Sequence, residues 1–154
     1  MSNQQLYDQD FYAWTNEQAG LLRAGRLSEA DVEHIAEEIE NMGKTERREL
    51  VSRLRVLLLH LLKWRSQPGC RGKSWEGSIV NTRDELDNHL RDNPSLKSQI
   101  PDALQVAYRR AVLDAATETD LNKSTFPQSC AWTYDEIMDP NFWPDPPVPN
   151  PSSP

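Results

Sequence analysis

The residues best placed to do chemistry in this chain lie in an acidic run, Glu29 to Glu40, which holds six carboxylates and no Lys or Arg. His34 and Glu38 are four residues apart, and Glu37 is three beyond His34. Side chains at those spacings share a helical face. An imidazole and two carboxylates would then reach a shared divalent cation or form an acid–base pair. This makes His34, Glu37 and Glu38 candidate catalytic residues of hydrolase type, with His34 and Glu38 as candidate metal ligands. A solvated polar face opposite an apolar stripe is the plainer reading, and the pattern favours it. Metal sites in helical bundles draw inward-pointing ligands from several helices, whereas these point away from the stripe.

A second constellation is His60, Lys63 and Trp64, with Arg53 two turns earlier. On a helical projection they flank a leucine face. An anion or small ligand there would find charge on Lys63 and stacking area on Trp64. His89, four residues from Glu85, would join that pocket if its helix met the first. The competing expectation for such a boundary histidine is a hydrogen-bonded structural role.

Positive charge is concentrated from Lys44 to Lys73, which contains nine of the seventeen basic residues and only two acidic ones, Glu46 and Glu49. Arg47, Arg48, Arg55, Arg65, Arg71 and Lys73 could contact phosphates, since clustered cations displace counterions from nucleic acid. A short loop between the acidic and basic stretches would instead set them side by side, pairing within the fold or across a dimer, and this is the stronger expectation. Arg71-Gly72-Lys73-Ser74 lacks the leading glycine spacing and preceding strand of a phosphate loop.

A net charge of −7 argues against a protein that coats nucleic acid or anionic membrane with its whole surface. Cys70 and Cys130 have no metal-ligand spacing and read as reduced thiols. The start of the chain is neither basic nor strongly apolar, and the apolar run Val56–Leu62 is too short to span a bilayer. These features predict a cytoplasmic, non-membrane protein. Nothing in the sequence specifies a cofactor.

The elements that must position these residues are helical. Asp8 is the expected cap of a first helix carrying Phe11, Trp14, Gln18, Leu21 and Leu22, with Gly25 as its stop. Ser28, with Asp31 three residues later and a Leu27–Val32 staple, predicts a second helix whose stripe is Val32, Ile35, Ala36, Ile39 and Met42, ended by Gly43. A third runs from about Thr45 to Ser66. Leu50, Leu54, Leu57, Leu58, Leu61 and Leu62 line one side, and Val51, Val56 and Leu59 widen the stripe. Ser74 is the expected cap of a fourth, with Trp75, Ile79, Thr82, Leu86 and Leu90 inward. A fifth covers Ser95 to about Thr119, with a break or sharp kink expected near Gln99–Ile100, because Pro101 removes a backbone donor and clashes with the preceding turn. Thr133 and Glu136 form a capping box for a short last helix. Six of the eleven prolines fall between Pro144 and Pro154, predicting a disordered proline-rich tail over 144–154.

The fold class is therefore all-α: a single domain over 1–143, a compact bundle of about five helices around a long central apolar helix.

Five segments, in this order and spacing, carry a further signal: Asp10-Phe11-Tyr12-Ala13-Trp14, Ala36 to Gly43, Leu57 to Trp64, Ser74-Trp75, and Phe126-Pro127 with Cys130. Together they resemble the bacterial family called domain of unknown function 29, across roughly Leu6 to Trp143. Ala131-Trp132 departs from the Pro-Tyr that the resemblance leads one to expect. The resemblance implies an all-helical fold and carries no catalytic residues. The leading functional expectation is a protein-interaction or assembly module, homodimeric or bound to another protein, without catalysis. The alternatives are the His34/Glu37/Glu38 hydrolase and nucleic-acid binding through the basic 44–73 segment.

Overall fold

In the computed structural model, which describes residues 1–145, local capping chemistry sets most helix boundaries. Asn3–Gln9 forms α1, opened by a capping box in which Ser2 and Gln5 satisfy each other's backbone amides. Phe11–Arg23 forms α2, capped by Asp10 through the Ala13 amide rather than by Asp8, which lies inside α1. Gly25, at φ 72°, supplies the expected left-handed turn. Leu27–Glu29 is a 3-10 turn, so Ser28 is not a cap. Asp31 takes that role, its carbonyl accepting from Ile35 and its carboxylate from the His34 amide.

The largest departure from expectation follows. α3 runs unbroken from Val32 to Ser66, 35 residues, straight through Gly43. A glycine in a helix interior costs only about 1 kcal/mol relative to alanine. No proline follows it, and the flanking Glu, Arg and Leu residues are good helix formers. The acidic and basic stretches therefore succeed one another along a single helix; no loop sets them side by side. The remaining helices are α4 (Lys73–Asp92), α5 (Ile100–Thr119) and α6 (Tyr134–Met138), and no strand occurs among the described residues. α4 begins one residue before Ser74, with Gly72 at the cap position. α5 begins at Ile100 with proline in its first turn, so of the expected break or kink it is the break that occurs. α6 carries the expected Thr133–Glu136 capping box.

By backbone packing the chain divides into two units, Met1–Thr45 and Glu46–Pro154, with the boundary inside α3. In the second unit, Leu50, Leu54, Leu57, Leu58 and Leu61 of α3 are fully buried with Ile79 and Leu86 of α4 and four alanines of α5. Those alanines, Ala103, Ala107, Ala111 and Ala115, recur every fourth residue, so one small-residue stripe faces the leucines. Polar pairs fix the register. Arg55 grips Asp114 and Lys63 reaches Glu118, while Arg53 spans Glu49 and Glu85. Buried Arg83 donates to the carbonyls of Ile137 and Phe142, tying the segment after α5 to α4. Pro144 is buried and its carbonyl accepts from Arg71; the expected proline-rich tail lies, from 146 onward, outside the described residues. No helix among the described residues is long and apolar enough to cross a membrane.

The first unit differs. Trp14 is the one buried apolar side chain among its described residues. The stripe expected to face inward is turned out instead: Val32, Ile39 and Met42 are 62%, 62% and 68% exposed. The polar face of α3 meets the aromatic residues of α1 and α2, because α1 brings Tyr7 to that side.

Continuity of α3 through Gly43 has a direct test. A Cβ at Gly43 would meet nothing within 4 Å. Gly43→Ala should therefore stabilise the protein by about 0.5–1 kcal/mol, whereas Gly25→Ala should destabilise it by about 1 kcal/mol through its positive φ. Urea unfolding of the two variants checks both signs, and a Gly43 acting as a stop would reverse the first.

Candidate functional site

In the first unit, the residues singled out from sequence form a packed joint. Asp31 Oδ2 accepts from His34 Nδ1 at 2.8 Å and from Trp14 Nε1 at 3.0 Å. The Asp31 amide donates to Gln18, whose own amide reaches Asn3. The His34 ring stacks on Tyr7 with centroids 3.9 Å apart, and Tyr7 stands edge-on to both Phe11 and Trp14. Tyr7 Oη donates to Glu38 at 2.5 Å. Burial alone would raise the Asp31 carboxyl, but the hydrogen bonds from Trp14 and His34 hold it below the usual carboxylate value. That Glu38 hydrogen bond, with partial burial and the neighbouring carboxylates, pushes the Tyr7 phenol up to about 12.

His34 and Glu38 thus share one half-buried face, as their spacing predicts, but each has its own partner. Glu37 is exposed and does not join them. An aspartate that fixes an imidazole is half of a catalytic relay; here the ring it fixes is clamped against an aromatic cluster. Sequence reasoning missed Tyr7 and the role of Asp31. The second was legible, since Asp31 lies one helical turn before His34. The first depends on α1 folding back beside α3, and no spacing announces that.

In the second unit, the expected pocket of His60, Lys63, Trp64 and His89 does not assemble. His60 Nδ1 donates to the Val56 carbonyl. Lys63 pairs with Glu118 and lies over the Trp75 ring. Trp64 packs against Trp143 and under Arg71. His89, buried on α4, donates from Nε2 to the Glu46 carbonyl at 2.9 Å. Glu46 precedes His60 by fourteen residues of helix, about 21 Å at 1.5 Å per residue, so His89 packs against α3 well away from His60. Glu46, Glu49 and His89 offer ligand atoms within 4.8 Å of one another. Arg53 already places a fixed cation there, on Glu49 at 2.5 Å and Glu85 at 2.7 Å, and its hydrogen bond holds the Glu49 carboxyl low.

Part of the basic stretch is engaged within this unit, while Arg48 and Lys73 are exposed, Arg65 is half-buried, and none of these three makes a side-chain hydrogen bond or ion pair among the described residues. Arg53, Arg55 and Lys63 form ion pairs, Arg47 donates to Gln99, and Arg71 donates to the carbonyls of Trp64 and Pro144. Elsewhere a concavity opens along α5. A groove of about 820 Å³ has Tyr108, Val112, Leu113 and Phe126 as apolar surface, with Arg109 and Lys123 as its charged lining. An adjoining groove of about 520 Å³ shares Tyr108, Arg109 and Gln128 and extends to Leu104 and Trp132. No acidic residue lines either one.

The family model described as domain of unknown function DUF29 matches residues 6–143. The chain belongs to the DUF29 family. No curated protein and no solved structure matches it. Three of the five segments that carried the resemblance have clear physical roles in this DUF29 chain. Asp10–Trp14 caps α2 and delivers Trp14 to Asp31. Leu57–Trp64 contributes four fully or nearly fully buried leucines. Phe126 is buried and the Pro127 carbonyl accepts from Tyr108. At the departure from the expected pattern, Trp132 packs edge-on against Phe142.

The Tyr7–Glu38 bond makes a pH prediction. A group whose pKa is raised by folding contributes stability that is complete below its unfolded value, about 10 for tyrosine, and lost as pH rises through about 12. Wild type should therefore exceed Tyr7→Phe in thermal midpoint at neutral pH, and the gap should close between those values. Paired melting curves across alkaline pH read this directly; a gap that does not narrow would show that the phenol proton is not shared with Glu38.

Proposed function

We propose that this DUF29 chain is a protein-interaction module, working in the cytoplasm, whose docking surface is the outward stripe of α3 over Val32–Met42. What carries the reading is the exposure of Val32, Ile39 and Met42 beside carboxylates that have no internal counter-charge. Glu33, Glu37 and Glu40 are exposed and make no salt bridge among the described residues. The first unit has nine acidic and three basic residues, a formal charge of −6 out of −7 for the chain. Exposed apolar residues at helical spacing, rimmed by charge, mark interaction sites, and a stripe of this kind seats an amphipathic helix in a groove. The partner surface is apolar with a cationic edge. Internal acceptors already hold Arg47, Arg55 and Arg71, three of the six candidate phosphate contacts, which weighs toward this reading, and the two free thiols agree with a reducing compartment.

A photo-crosslinking residue placed at Ile39 tests the proposal, with Val80 on α4, itself 51% exposed, as the control position. The expected result is a discrete adduct from position 39 that disappears when Glu33, Glu37 and Glu40 are changed to lysine. Equal labelling from positions 39 and 80, or indifference to the charge reversal, would sink it.

A further inference from the structure

We propose that the acidic α3 stripe of one copy docks in the α5 groove of a second copy, so that the chain assembles with itself through two different surfaces. This rests on the reading of the stripe as a docking face and names its partner. The two surfaces match in chemistry. Val32, Ile39 and Met42 on one side meet Leu113, 53% exposed, on the other, above a groove floor formed by the largely buried Tyr108, Val112 and Phe126. Their charges are opposite and uncommitted. Glu33, Glu37 and Glu40 flank the stripe; Arg109 and Lys123 line the groove; none of the five forms an ion pair among the described residues.

Charge also selects between modes of self-association. A symmetric contact of stripe against stripe would bring two units of formal charge −6 together, and like-charge juxtaposition disfavours it. The second unit, with fifteen acidic and fourteen basic residues, is nearly neutral overall, and its groove lining is cationic. A heterologous contact between stripe and groove therefore gains from both burial and Coulomb attraction, and whether it closes on itself sets the copy number.

Sedimentation of the full chain at concentrations up to about 100 μM, the range in which micromolar contacts are populated, tests this with two variants at exposed positions, Ile39→Glu and Leu113→Glu. Circular dichroism establishes that both retain the wild-type helical signal. The expected result is a wild-type mass above that of one chain, with each variant alone weakened by at least about tenfold because a charge is forced against apolar surface. An equimolar mixture should recover a dimer, since each variant keeps the surface the other lacks. Raising salt from about 0.1 M to about 1 M should weaken the wild-type association as the screening length shortens from about 10 Å to about 3 Å. If Ile39→Glu dissociates the assembly and Leu113→Glu does not, the docking face stands and the groove is wrong. Dissociation by Leu113→Glu alone would remove the face as well. A monomeric wild type would exclude a second copy as the partner, leaving the crosslink from position 39 to decide the docking face by itself.

Discussion

The leucine face of α3 lying on the alanine stripe of α5 is the contact on which the second unit depends. Packed helix axes sit about 8–10 Å apart according to the side chains between them. Four alanines at every fourth position of α5 share one buried core with the large side chains of α3, and small residues let helix axes approach closely. Each fully buried leucine is worth about 1.5–3 kcal/mol of transfer free energy, so this one seam outweighs the polar pairs around it. Arg55–Asp114 and Lys63–Glu118 then act as register marks on helices already held together, because partly exposed ion pairs contribute about 0–1 kcal/mol each.

That seam also decides what α5 shows to the outside. With its small residues spent inward, Arg109 and Leu113 are left outward, and the 122–128 segment closes over one flank through buried Phe126 and the Tyr108–Pro127 bond. The groove is a by-product of the core's geometry. So is the fate of two arginines of the basic stretch: Arg53 and Arg55, on the flanks of α3, find carboxylates on α4 and α5.

The first unit works under the opposite constraint. Forty-five residues cannot enclose much apolar surface, and units of that size usually need a staple or a partner. Its order comes from a half-buried network in which Asp31 serves His34, Trp14 and the start of α3 at once. Because that polar face is turned inward, the apolar stripe is turned out. Burying the polar side is tolerable since its groups are mutually satisfied.

Much of this was readable from one dimension. Helical periodicity alone marks Leu50–Leu62 as a buried face, capping chemistry locates the last helix, and proline places the start of α5, because each depends on residues within a turn or two of one another. His34 and Glu38 also share a face, as their spacing requires. Three things needed the tertiary structure. Gly43 can end a helix or sit inside one, and the choice is a small local energy that the flanking helix formers win. Which side of an amphipathic helix turns inward depends on what packs against it, and Tyr7 arrives from a helix with no long-range signature. Whether His89 joins His60 or Glu46 depends on the direction and register of α4 against α3, set by cores that no pairwise spacing encodes.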